Sequence, residues 1–138
     1  MTDRAYELRP IAWVESSLVD LEVAPKQGDE GAPDADLVFN PGVADGIKDL
    51  RVGQEIIVLT WLDRARRDVL VLHPRGDERN RRRGVFSTRS PDRPNPIGLH
   101  RVEIIAIDGC TIRVRNLEAL DGTPVIDVKP ILEPIGDR

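Results

Sequence analysis

Of three Asp-Gly dipeptides, the two in the C-terminal half, each beside an apolar run, constrain this chain more than any other feature. Asp108-Gly109 separates the apolar run 99–107 from the run 111–117. Both residue types tolerate the positive φ of a tight hairpin turn, so the dipeptide predicts antiparallel pairing of its flanks. Within 111–117, Arg113 and Arg115 alternate with Ile112, Val114 and Asn116, which gives one wet and one dry face. Asp121-Gly122 opens another run, 123–128. Upstream, 11–14, 18–23, 37–39, 55–62 and 69–72 read as strands; 55–62 is rich in β-branched and aromatic residues. Val43, Ile47 and Leu50 lie at helical spacing, so one short helix fits 43–50. Segment 24–35, with Pro25, Gly28, Gly31 and Pro33, is a loop by composition, and 73–83 is polar and basic. Helices do not alternate with strands, and the chain carries 11 Gly and 11 Pro. The expectation is therefore an all-β barrel or sandwich with short helical additions, not a doubly wound sheet.

A chain of 138 residues predicts one domain, 1–138. No apolar run approaches the ~20 residues of a membrane-spanning helix, and the Met1-Thr2-Asp3-Arg4 start does not read as a signal peptide. Cys110 is the single cysteine, which excludes an internal disulfide and a multi-cysteine metal site. The expectation is a soluble cytoplasmic protein.

The formal charge of −4 hides an asymmetry. Residues 75–101 hold eight arginines against three acids, a charge of +5; the remainder holds 12 bases against 21 acids, or −9. A basic segment on an acidic body can present one face to an anion, although such a run also serves as a solvated face.

Within that segment, Pro91, Pro94 and Pro96 fix φ at three positions, and the residues before them are pushed toward extended backbone. The loop is stiff before any ligand arrives, which lowers the ordering cost of binding. Arg89 and Arg93 offer planar forks for a carboxylate or phosphate, and Ser87, Thr88, Ser90 and Asn95 add neutral donors. A turn that only closes a barrel corner is the competing reading. A second segment, 116–127, holds Glu118, Asp121 and Asp127, which can pair arginines, bind hydroxyls or take a proton. Against this stands a plain turn aspartate before Gly122.

Other residues carry less. His73 and His100 are isolated and point to no metal site, and surface residence is expected for both. Cys110 reads as structural and Trp61 as core. With no G-x-G-x-x-G, P-loop or G-x-S-x-G, a nucleotide-like cofactor needs a non-Rossmann site. Aromatics are 4%, too few for a broad base-stacking platform.

The run G-V-F-S-T-R-S-P-D-R-P-N-P-I-G at 84–98 resembles one signature of the TsaA-like family, also called TrmO. The run L-D-G-T-P-V-I-D-V-K-P at 120–130 resembles its other signature, in the same order and at similar separation. This resemblance implies a β-barrel, a homodimer, and S-adenosylmethionine bound outside any Rossmann fold. It implies methylation of N6 of threonylcarbamoyladenosine in tRNA. Carried over by position, Lys26, Gln27 and Gly28 would line the cofactor, with Leu62 and Asp63 at the end of the central strand. Arg89 and Leu99 match further cofactor contacts, and Glu118, Ala119, Leu120 and Asp121 would close the pocket. Asp121 or Asp127 would assist proton removal, while Arg79, Arg81, Arg82, Arg83 and Arg93 would hold RNA. No metal is implied.

The N-terminal signature departs from the family's I-G-x-x-R-S-P. Here Glu15 replaces the arginine and Ser17 the proline, and Asp63 stands where a histidine is common. A paralogue that methylates another RNA or a small molecule, or a cofactor-binding module without catalysis, are the alternative expectations.

Overall fold

The structure, a computed structural model, describes residues 3–19, 32–73 and 81–132. Eight strands occur among them: β1 (Ala12–Glu15), β2 (Ala35–Phe39), β3 (Glu55–Trp61), β4 (Val71–Leu72), β5 (Arg83–Gly84), β6 (Ile97–Asp108), β7 (Thr111–Val114) and β8 (Pro124–Pro130). The all-β expectation holds. Six strands pair antiparallel in the order β1-β2-β7-β6-β3-β8, and β8 pairs back onto β1, so the sheet closes on itself as a barrel. Closure leaves no free edge among these six strands. β4 and β5 form a separate two-stranded ribbon.

Alternation decides which side chains fill the barrel. Val14 on β1, Leu37 on β2, Ile56 and Val58 on β3, Val102 and Ile104 on β6, Ile112 and Val114 on β7 and Val125 on β8 are all buried and form one core. The opposite faces carry charge, and cross-strand neighbours are matched: Arg101 with Glu55 at 3.1 Å, Arg113 with Asp36 at 3.1 Å, Arg115 with Glu103 at 3.2 Å. A register shift between Leu59 and Thr60 leaves Ile126 as an extra residue on β8, since Leu59 faces Asp127 and Thr60 faces Val125. The bulge lets both Val125 and Val128 point inward near the barrel end.

The β6–β7 hairpin forms at the predicted place, one residue later than the Asp-Gly pair suggests. Asp108 pairs with Thr111, so the two turn residues are Gly109 and Cys110, and only Gly109 needs a positive φ, 58°. The helix expected over 43–50 is instead a 3-10 segment, Pro41–Ile47. Asn40 caps it by accepting from Gly42 N, proline starts it, and two glycines in seven residues favour no longer helix. Leu18 and Val19 lie outside any strand; the rest of the expected 18–23 strand, and most of the 24–35 loop, fall outside the described residues. Trp61 is half-buried at the end of β3, not in the core, with the Arg67 guanidinium 5.1 Å from its ring centroid.

Candidate functional site

At one end of the barrel, three elements meet around a cavity of about 610 Å³. Residues 62–65, which follow β3, form one wall. The segment from Phe86 through Arg93, together with Ile97–His100 at the start of β6, forms another. The third comes from Glu118, Ala119, Leu120 and Thr123, between β7 and β8. The volume lies in the range of sites for small organic ligands.

The proline-rich loop is a built frame. Leu62 N donates to Pro96 O at 2.8 Å, Arg66 N to Asp92 Oδ1 at 2.9 Å, and Arg93 N to Arg66 O at 3.0 Å. Arg67 donates from Nε to Pro94 O at 2.7 Å and from a terminal nitrogen to Asn95 Oδ1 at 3.2 Å. The loop and residues 62–67 therefore act as one clasp. Its neutral groups are spent on itself: Ser90 N donates to Thr88 Oγ1, Asp92 N to Ser90 Oγ, and Thr88 Oγ1 to Val85 O.

The two loop arginines differ. Arg93 is partly buried and donates to the carbonyls of Ser90 (2.8 Å), Val85 (2.9 Å) and Thr88 (2.5 Å). Its guanidinium braces the loop. Arg89 is exposed, lines the cavity, and has no hydrogen-bonding or ionic partner among the described residues. It is the cation the frame presents.

Of the residues singled out for a cofactor, Leu62, Asp63, Arg89, Leu99, Glu118, Ala119 and Leu120 come together at this cavity. Asp121 and Asp127 do not line it. Asp121 accepts from Ser16 N at 3.0 Å and ties the end of β1 to the turn before β8. That turn is closed by Thr123 N donating to Leu120 O, with Gly122 at φ 84°. Asp127 accepts from its neighbour Val128 N at 2.9 Å and pairs with Lys129 at 3.3 Å. Lys26, Gln27, Gly28 and Arg79 lie outside the described residues. Arg81, Arg82 and Arg83 are exposed and make no ion pair among the described residues; Arg83 sits on β5, which runs directly into the 3-10 turn Val85–Ser87. Glu15 faces outward on β1 opposite Asp36, and neither it nor Ser17 lines the cavity. No cluster of metal-ligating side chains occurs among the described residues.

Two further residues line the cavity without a site role expected from the sequence. Phe86 is 78% exposed on the cavity wall. His100 is half-buried inside the barrel end, contrary to the surface position expected, with Nε2 2.8 Å from Thr60 Oγ1. Burial lowers its pKa to about 4. The signal was present: His100 shares the two-residue phase of the buried Val102 and Ile104. Gly98 makes room for the pair, because a Cβ there would lie 2.4 Å from Thr60 Oγ1 and 2.8 Å from His100 Nε2.

Comparison with known proteins supplies the family. The tRNA-methyltransferase O N-terminal domain model matches residues 13–136. A "Probable S-adenosyl-L-methionine-binding protein" of Archaeoglobus fulgidus is 44% identical over 124 residues, 90% of this chain and 33% of that protein. One of the same description from Methanothermobacter thermautotrophicus is 43% identical over 135 residues, 98% of this chain and 96% of that protein. A TrmO crystal structure superposes with a TM-score of 0.75 at 25% identity, over 96% of this chain and 57% of that one. The chain thus spans about a third of the first relative, nearly all of the second, and under two thirds of the solved TrmO chain. It belongs to the tRNA-methyltransferase O N-terminal domain family.

Proposed function

We propose that this chain binds S-adenosylmethionine in the barrel-end cavity and transfers its methyl group to N6 of threonylcarbamoyladenosine in tRNA. One observation carries the reading: a braced loop offering Arg89 and the segment Glu118–Leu120, with its one carboxylate, converge on a cavity of about 610 Å³. The residues present fit the ligand. Arg89 suits the methionine carboxylate, the carboxylates of Asp63 and Glu118 suit a sulfonium cation, and Leu59, Leu62 and Leu99 suit the faces of a nucleoside. The names of the relatives, which describe S-adenosyl-L-methionine-binding proteins, support the same ligand.

When bound, the cofactor supplies an electrophilic methyl group on sulfur. The chain's part is then mainly positioning, since in-line displacement is sensitive to the approach of donor and acceptor. The Arg66–Asp92, Arg67–Asn95 and Arg93–carbonyl contacts hold the loop before binding, so little order has to be gained. Asp63 and Glu118 line the cavity and are the carboxylates to which this reading assigns the proton released from the acceptor nitrogen; Asp121 accepts from Ser16 N and Asp127 from Val128 N. Exposed Phe86 on the rim offers a face to an extruded base, and Arg81, Arg82 and Arg83 lie upstream of it as phosphate contacts. The reading includes a homodimer in the cytoplasm. Ile97, 43% exposed at the cavity edge, supports a second copy there.

Nucleoside mass spectrometry of tRNA from a strain lacking this chain tests the proposal. Loss of the N6-methylated threonylcarbamoyl nucleoside, restored by the wild-type gene but not by Arg89→Ala, is the expected result. An unchanged nucleoside profile with intact S-adenosylmethionine binding by calorimetry would leave a different acceptor as the reading.

A further inference from the structure

The hydroxyl of Thr60 is fully buried inside the barrel, and His100 Nε2 is its one hydrogen-bonding partner among the described residues. A buried hydroxyl proton without an acceptor is costly, so Thr60 must donate to Nε2. Were Nε2 to carry the proton instead, the Thr60 hydroxyl would have no acceptor. Neutral imidazole carries one proton. It therefore sits on Nδ1, which has no hydrogen-bond partner among the described residues and is not sealed from the cavity that His100 lines. Gly98 preserves this arrangement, since any larger residue would push a carbon into both partners. Burial supports the same state, because an imidazolium could not accept from Thr60.

Resting on the cofactor reading above, we infer that His100 is a ligand-contacting residue that donates from Nδ1 to an uncharged acceptor atom, a ring nitrogen or ribose oxygen, of the S-adenosylmethionine nucleoside. Thr60 is the positioning residue that fixes its tautomer. The chemistry of the walls selects that part of the ligand. A donor is repelled by the sulfonium, and the carboxylate has a charged partner in Arg89. Leu59, Leu62 and Leu99 line the same cavity and give it apolar surface that suits a heterocycle.

Nitrogen-15 NMR of the histidine rings and calorimetry on the full chain test this. In the free protein at neutral pH, His100 is expected as the Nδ1–H tautomer, with Nε2 bare. Saturation with S-adenosylmethionine is expected to move the Nδ1 resonance and slow exchange of its proton. His100→Gln keeps an acceptor for Thr60 but loses the Nδ1 donor, and should weaken S-adenosylmethionine binding roughly three- to tenfold. His100→Asn, which restores a donor near the Nδ1 position, should bind within about twofold of wild type. An Nε2–H tautomer, an Nδ1 signal unmoved while wild type binds, or His100→Gln binding as tightly as wild type would overturn the inference. Failure of wild type to bind S-adenosylmethionine would overturn the cofactor reading itself, which the tautomer measurement does not depend on.

Discussion

The flank of the barrel and its mouth use arginine in opposite ways. On the flank, Arg101, Arg113 and Arg115 each meet an acid on the neighbouring strand at 3.1–3.2 Å, in the open. At the mouth, Arg93 is turned inward onto three carbonyls, and Arg89 is left with no partner among the described residues. Paired exposed charges contribute little to stability and offer nothing to a ligand. An unpaired guanidinium on a braced loop adds as little to folding but remains open to an anion. The difference teaches that charge density in the sequence marks a region, while hydrogen-bond accounting marks the functional group within it.

The comparison breaks most visibly at acid pH. His100 at the mouth has its pKa lowered to about 4 by burial. Between that value and the ordinary histidine pKa of about 6.5, the unfolded chain binds a proton that the folded chain refuses. Stability should therefore fall as pH drops from about 6.5 to about 4, by on the order of 3 kcal/mol in total, and stay flat above about 7. Denaturant titrations of wild type and His100→Gln measure this; the variant should lack that part of the slope. Next in size, Arg89→Ala should weaken S-adenosylmethionine binding by about 2 kcal/mol, or some thirtyfold, with an unchanged melting temperature. An affinity within twofold of wild type would erase the distinction between mouth and flank.

Gly98→Ala should cost about 2 kcal/mol of stability, because the added carbon meets Thr60 and His100 at the barrel end, where neither can withdraw freely. Urea unfolding reads this directly. Arg93→Lys should lower cofactor affinity by about 1 kcal/mol, since an ammonium cannot reproduce a fork across three carbonyls. The same substitution should increase proteolytic cutting near the loop. Smallest of all, Arg113→Ala should change stability by under about 1 kcal/mol, less in high salt, and leave cofactor affinity untouched.

Much of the fold was legible in advance. β-branched spacing marked β3, and alternation marked β7. The Asp108-Gly109 dipeptide located the hairpin, though the actual turn uses Gly109 and Cys110. Three apolar residues at helical spacing point to a helix over 43–50, while the Asn40 cap and the glycines favour a 3-10 turn. Trp61, expected in the core, is in the outward strand phase, on the Leu59 side of β3.

The site was legible as two segments and not as a set of roles. Periodicity and proline spacing are local properties, so the sequence alone determined short strands, a stiff loop and the signatures that mark the family. Which arginine turns inward, which acid faces the cavity and which histidine nitrogen keeps its proton depend on atoms contributed by distant strands. Arg89 and Arg93 are the same residue type four positions apart, and only closure of the barrel and the clasp of 62–67 on the loop make one a brace and leave the other without a partner among the described residues. Hydrogen bonds are directional and short-ranged, so their partners are settled only when the chain has folded.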